Sequence, residues 1–252
     1  QHPYSGMIPM DDLYRRNNDS SFDAQMYQKR KAHNFYLKKT MIIQQGRVGD
    51  ILICLPIAKH FYDQNQVVYW LCPKEYHSLF RNINYVIPIS EPVAANQIID
   101  LSFGFGGNIE SWWQRTKETF ESFISAKYYL AGVNLQERWN LNFKPDIDME
   151  CSLRSEFPEK YILTHEETHN GKFISLDLPR KVEFKPIGDF NIFDWYLVIR
   201  DAEEIHCIDS ALANFIEVLP EFRNKKKFMY LSARHKDEYY LRSIYRNNWI
   251  IK

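Results

Sequence analysis

The apolar positions fall into short runs set apart by polar stretches. Residues 1–37 carry mixed charge and little apolar periodicity, and Arg15-Arg16-Asn17-Asn18-Asp19-Ser20-Ser21 reads as loop, so this part is expected to be a polar arm with a possible short helix over 23–37. Thr40-Met41-Ile42-Ile43 then forms a strand-like run that stops at Gly46, and Ile51-Leu52-Ile53-Cys54-Leu55-Pro56-Ile57-Ala58 opens a helix after the turn. Val67-Val68-Tyr69-Trp70-Leu71-Cys72, Tyr85-Val86-Ile87-Pro88-Ile89 and Gln97-Ile98-Ile99-Asp100-Leu101 predict three more strands, with a short helix over 74–82 between the first two. Continuous apolar strands separated by helices mark a parallel sheet covered on both faces. Trp112, Trp113, Thr116, Phe120, Phe123, Ile124 and Tyr128 recur at helical spacing and predict one long helix over 111–131, its aromatic stripe packed in the core.

Asn, Pro and charged residues interrupt the pattern over 134–160, which reads as a linker. A second series follows: strands at Tyr161-Ile162-Leu163-Thr164, Val182-Glu183-Phe184, Ile205-His206-Cys207-Ile208 and Phe228-Met229-Tyr230-Leu231, with helices over 190–201, 210–219 and 236–246. The sequence therefore predicts an α/β protein of two Rossmann-like, doubly wound lobes facing a cleft, over 38–150 and a compact 151–252.

Composition narrows the function classes. The 252 residues give room for two small domains or one large one, and hydrophobic and charged shares of 45% and 25% are ordinary globular values. Thirty-two Lys and Arg balance 32 Asp and Glu, which removes the electrostatic argument for nucleic acid or an anionic membrane as the main partner. Cysteines 54, 72, 151 and 207 form no Cys-x-x-Cys pair and read as reduced, buried thiols of a cytoplasmic protein. No stretch approaches the ~20 apolar residues of a membrane span. The first residue is Gln, which raises the expectation that further domains flank this chain in a longer polypeptide.

Ligands of parallel α/β lobes bind beyond the carboxyl ends of the strands. Two turns have that placement. In Gln45-Gly46-Arg47-Val48-Gly49-Asp50 the glycines allow a sharp turn and close approach of a ligand, and Asp50 falls at the N-cap or first turn of the next helix, where it reads equally as cap or functional carboxylate. In Ile208-Asp209-Ser210 two cap-type residues open the helix over 210–219. Between them, Thr164-His165-Glu166-Glu167-Thr168-His169-Asn170-Gly171-Lys172 follows the first strand of the second lobe, and its hydroxyls and Lys172 could meet a diphosphate or form only a charged surface loop. Asp146-Ile147-Asp148 mimics an Asp-x-Asp metal motif but follows Pro145 in the linker, so no metal is expected there. His165, His169 and His206 are possible catalytic histidines, with His206 reading as a core residue. Gly104-Phe105-Gly106-Gly107 lacks the Gly-x-Gly-x-x-Gly spacing of a dinucleotide-binding enzyme.

Met41-Ile42-Ile43-Gln44-Gln45-Gly46-Arg47-Val48-Gly49-Asp50-Ile51-Leu52-Ile53-Cys54-Leu55-Pro56 resembles the opening strand, Gly-Asp turn and Leu-Pro helix of the ADP-heptose lipopolysaccharide heptosyltransferases and their relatives, inverting glycosyltransferases of the GT-B type. Ile205-His206-Cys207-Ile208-Asp209-Ser210-Ala211-Leu212-Ala213 is similar to that family's Asp-Thr-Gly segment, with Ala211 and Asn214 or its neighbours where the family carries glycine and histidine. The resemblance implies a glycosyltransferase that moves a hexosyl, heptosyl or deoxyhexosyl group from a nucleotide-sugar donor to a glycan or glycolipid acceptor, without cofactor or metal. Asp50 would be the general base, Gly46, Arg47 and Gly49 the acceptor side, and Thr164, His165, Lys172, Asp209 and Ser210 the donor side. A non-catalytic nucleotide- or carbohydrate-binding domain of a larger glycan-assembly protein is the alternative.

Overall fold

The structure, a computed structural model, describes residues 37–103, 107–167, 171, 174–231 and 238–252. Its first half is built on a parallel sheet of β1 (Lys39–Ile43), β2 (Val67–Leu71), β3 (Ile87–Ile89) and β4 (Gln97–Asp100) in the order β3-β2-β1-β4. Met41 pairs with Tyr69 on one side and Ile98 on the other, so central β1 is bonded along both edges. The second half carries β5 (Ile162–His165), β6 (Lys181–Glu183), β7 (Glu204–Ile208), β8 (Lys227–Tyr230) and β9 (Trp249–Ile251), all parallel, in the order β6-β5-β7-β8-β9. Two parallel α/β halves are therefore present, as the alternation of apolar strands and helices predicts. Strand β9, whose three residues sit beside Asn247 and Asn248, was not foreseen.

Helix α1 (Val48–Asp63) follows β1, and every residue from Ile51 to Ala58 is buried. A helix that is apolar all round is covered all round. The first sheet lies on one side of α1, and α6 (Ala211–Glu217), from the second half, lies on another. One contiguous apolar cluster runs through both halves, from Ile42, Leu55 and Tyr128 to Leu163, Phe193, Phe215 and Trp249. Polar bonds reinforce the seam. Arg81 pairs with Asp194, Asn191 Nδ2 donates to Asn82 Oδ1 (2.9 Å), and buried Arg138 donates to the Ile244 carbonyl (2.9 Å).

The helix expected over 111–131 divides into α2 (Gly107–Thr116), a 3-10 turn at Lys117–Thr119 and α3 (Phe123–Ala131). The break has a local cause: Ser122 and Ser125 form a reciprocal capping box that starts a new helix, and Gly132 in the left-handed region (φ 65°) ends it. The expected linker holds a 3-10 turn at Leu135–Trp139 and α4 (Ile147–Ser155), and the expected boundary at 150/151 falls inside this helix, which packs on second-half elements. Residues 74–82 form a 3-10 rather than an α-helix, and the helix expected over 190–201 begins as a 3-10 turn (Ile192–Trp195) before α5 (Tyr196–Asp201). The closing helix is α7 (Glu238–Ile244). Residues 1–36 of the expected arm lie outside the described residues.

Candidate functional site

Strand order selects where a ligand crevice can form. In the first sheet the chain leaves β1 toward β2 on one side and reaches β4 on the other. In the second, the same divergence separates β5 from β7, and β6-β5-β7-β8-β9 is the 2-1-3-4-5 order of flavodoxin-like sheets. Crevices open beyond the carboxyl ends of strands at such switch points. These ends carry residues 44–50 and 100–103 in the first half, and 165–166 and 208–210 in the second.

The first turn is braced from below. Buried Gln44 accepts from the Gly46 amide through Oε1 (3.1 Å) and donates from Nε2 to the Leu101 carbonyl (2.9 Å), tying the end of β1 to the end of β4. Ser102 repeats the tie: its hydroxyl accepts from the Gln45 amide (3.3 Å) and donates to the Ile43 carbonyl (3.2 Å). Arg47 is exposed at the N-cap position, where no side chain caps the helix. Asp50 is the third residue of α1, at the positive end of a long helix, and its side chain is 27% exposed.

The partner of Asp50 is Lys127 on α3, which sequence reasoning missed. Lys127 is 1% exposed, its Nζ lies 3.6 Å from Asp50 Oδ1, and it donates to the Leu101 carbonyl at 2.6 Å. Its ammonium also stands 5.0 Å from the centre of the Phe103 ring. The available signal was a lone cation inside Phe123-Ile124-Ser125-Ala126-Lys127-Tyr128-Tyr129-Leu130-Ala131, where burial demands an anionic or carbonyl partner.

Gly49 does not serve a sharp turn, because neither it nor Gly46 is among the described glycines with positive φ. Its role is close approach. A Cβ at 49 would stand 3.3 Å from Asn214 Nδ2 and 3.4 Å from Ala211 Cα, so the helix after the first turn meets the helix after the second with no side chain from the first at that point. The two candidate turns are thereby brought side by side.

The second turn is equally committed. Ser210 Oγ accepts from the Ala213 amide (3.3 Å) as the cap of α6, and Asn214 Nδ2 donates to the Ser210 carbonyl (3.0 Å). Tyr245 donates its hydroxyl to Asp209 Oδ1 (2.5 Å). Burial, with the Asp209 charge beside it, pushes the Tyr245 phenol far above its ordinary range, so Tyr245 stays a proton donor to that carboxylate.

Of the other residues expected on the donor side, Thr164 is fully buried in β5 and presents no surface in this structure. His165 is half-buried, edge-on to Phe184 at 4.9 Å, and burial lowers its pKa to about 4, so it is neutral at pH 7. Lys172 and His169 lie outside the described residues. Glu166, which the sequence reading passed over, accepts from the Leu176 amide (3.0 Å) and pairs with Lys181 (3.0 Å). Burial alone would raise its pKa, but those two partners prevail and hold it low. His206 is buried, with Tyr230 Oη at 2.9 Å and Glu204 Oε2 at 3.1 Å, as befits a core residue.

Asp146 is the N-cap of α4, accepting from the Met149 amide (3.2 Å), and no cluster of metal-ligating side chains occurs among the described residues. Cys54, Cys72 and Cys207 are buried, and burial pushes the Cys54 thiol up to about 11; Cys151 is exposed, contrary to expectation. The aromatic stripe also departs from its prediction, since Trp112, Trp113 and Phe120 are only half-buried. No described helix is long and apolar enough to cross a membrane.

No family model matches the chain, and no curated protein matches it. Among solved structures it is similar to the iron-containing dodecameric glycosyltransferase TibC from enterotoxigenic Escherichia coli H10407, at 12% identity and a TM-score of 0.49 over 78% of this chain and 59% of that one. It is also similar to a glycosyl transferase family 9 structure from Veillonella parvula DSM 2008, at 8% identity and a TM-score of 0.42 over 85% of each chain. The chain spans about three fifths of the length of the first of these.

Proposed function

We propose that this protein is an inverting, metal-independent glycosyltransferase that moves a sugar from a nucleoside-diphosphate-sugar to a hydroxyl of a glycan acceptor. The observation that carries the proposal is the abutment of the two strand-end turns, with Gly49 against Ala211 and Asn214. A two-substrate reaction needs its acceptor and donor groups within one crevice, and topology alone would leave them on separate sheets.

Asp50 is the general base. As the acceptor oxygen attacks the anomeric carbon, its proton passes to the Asp50 carboxylate; the bond from that carbon to the diphosphate oxygen breaks on the opposite face, and the nucleoside diphosphate leaves with the electron pair. Arg47 and the residue 46–49 backbone line the acceptor side. On the donor side, Ser210 accepts from the Ala213 amide and so keeps its own O–H proton for a phosphate oxygen. Asp209, fixed by Tyr245, suits a sugar hydroxyl rather than a phosphate, because a carboxylate repels an anion. Neutral His165 offers a hydrogen bond without charge, and Lys172 supplies the cation that offsets the departing diphosphate.

A binding domain without turnover is the second reading, and the Asp50–Lys127 pair favours it, since a carboxylate that neutralises a buried lysine has a structural duty of its own. Thermal-shift titration with UDP-, GDP-, ADP- and dTDP-sugars, followed by a transfer assay with the sugar that stabilises, separates the two. Stabilisation with transfer that Asp50→Ala abolishes supports the enzyme; stabilisation without transfer to any acceptor supports the binding domain.

A further inference from the structure

Aromatic rings run outward from the partner of Asp50. Phe103, 7% exposed just beyond β4, lies under the Lys127 ammonium at 5.0 Å. Trp113 stacks on Phe103 nearly parallel, with centroids 5.2 Å apart and planes 7° apart. Trp112 stands 5.9 Å from Phe103 and 5.8 Å from Phe120, which in turn lies 5.3 Å from Tyr129. Only Phe103 is buried: the two tryptophans and Phe120 are half-exposed and Tyr129 is 69% exposed. A stripe expected to pack in the core is instead only partly covered.

Indole rings held this way present a flat, electron-rich face. The ring C–H bonds of a pyranose carry partial positive charge from the neighbouring oxygens and cluster on one face of the sugar, so that face stacks on an indole while the hydroxyls point outward. Exposed Asn108 and Arg115, on the same helix as both tryptophans, give those hydroxyls hydrogen-bonding partners. An anionic lipid surface would call for a cationic surround, and here exposed Arg115 and Lys117 are matched by exposed Glu118 and Glu121. The rings are linked to Asp50 through two contacts, Asp50 with Lys127 and Lys127 with Phe103.

We propose that Trp112 and Trp113, backed by buried Phe103, form a stacking platform for a pyranose ring of the acceptor, on the side of the hydroxyl that Asp50 deprotonates. The proposal rests on the glycosyl-transfer reading for the identity of its ligand, and names that ligand as a carbohydrate held by its apolar face.

The test uses the full chain, without donor. Saturation-transfer difference NMR is recorded with methyl β-glucopyranoside, methyl β-galactopyranoside and methyl α-mannopyranoside, and binding is followed by tryptophan fluorescence. At least one glycoside is expected to receive saturation on its ring C–H protons. Trp113→Ala and Trp112→Ala should each weaken its binding roughly three- to tenfold, the loss of one aromatic contact, while the conservative Trp113→Phe retains most of it. Circular dichroism establishes that each variant is folded. Absence of saturation from all three glycosides overturns the platform, as does binding that both Trp→Ala variants leave unchanged. Concentration-dependent self-association that Trp113→Ala abolishes would assign the rings to a second copy of the chain and also overturn it. A donor thermal shift without glycoside binding removes the platform and leaves the proposed function standing. Glycoside binding without any donor shift keeps the platform and removes the transfer reading.

Discussion

Asp50 Oδ1 stands 3.6 Å from the ammonium of Lys127, a side chain 1% exposed, so one carboxylate serves two elements: it sits in the first turn of α1 and it neutralises a cation buried on α3. Lys127 is held from the other side by the Leu101 carbonyl at 2.6 Å. The pair therefore fixes α1 and α3 to the end of β4. A carboxylate held in this way has its orientation set before any ligand arrives, which for the proposed base reduces the reorganisation left for the reaction.

Removal of Asp50 has two separable effects. Asp50→Asn keeps shape and hydrogen bonding but cannot accept the acceptor proton, so transfer should fall by about 10²–10⁴-fold while donor-induced stabilisation is retained. Turnover within a few-fold of the parent in a direct transfer assay would exclude Asp50 as the base.

Lys127 gives a stability prediction independent of catalysis. Asp50→Ala leaves a buried ammonium with a carbonyl partner and no anion, and because Asp50 itself is partly hydrated the cost should be about 1–3 kcal/mol in urea unfolding. Asp50→Ala combined with Lys127→Met should recover part of that loss, since methionine fills the space without a charge. Additive losses in the double variant would mean that the pair is not coupled.

Position 49 tests the abutment of the two halves. Gly49→Ala asks the buried Asn214 amide, held by the Ser210 carbonyl, and the Ala211 backbone to give by a few tenths of an ångström, and should have a small effect. Gly49→Leu cannot be seated without parting α1 from α6, and should destabilise by about 1–3 kcal/mol or more and weaken donor stabilisation. Equal stability for glycine and leucine in thermal unfolding would show that the helices do not meet there.

Glu150, buried on α4, has its pKa raised to about 7, first by burial and then by the Asp194 and Asp146 charges. The folded state therefore favours its protonated form. Its contribution to stability is full below the ordinary glutamate value of about 4.5 and is lost as pH rises toward about 7. Glu150→Gln should accordingly gain on the parent across that window, reaching about 1–3 kcal/mol above pH 7. Parallel stability curves from pH 4 to pH 8 would contradict the assignment.

The strands and the two turns were legible in the sequence because buried parallel strands are written as unbroken apolar runs and turns as glycine and cap residues. What escaped was of two kinds. The division of 111–131 depends on Ser122 and Ser125, whose capping box is invisible within a longer helical period. The pairing of Asp50 with Lys127, the incomplete burial of Trp112 and Trp113, and the contact of Gly49 with Asn214 are long-range, and no local pattern reports them. Thr164 shows the converse: a hydroxyl at a strand end looked available, yet both faces of β5 are covered and Ile162, Leu163 and Thr164 are all buried.

The central claim is that the abutting turns form one two-substrate site with Asp50 as its base. It is tested most directly by a transfer assay with the nucleotide-sugar that stabilises the chain, run on the parent and on Asp50→Asn in parallel. Transfer with inversion at the anomeric carbon by the parent, and its loss in a folded variant that still binds the donor, is the predicted result. Retention of configuration, or equal transfer by both proteins, would contradict it.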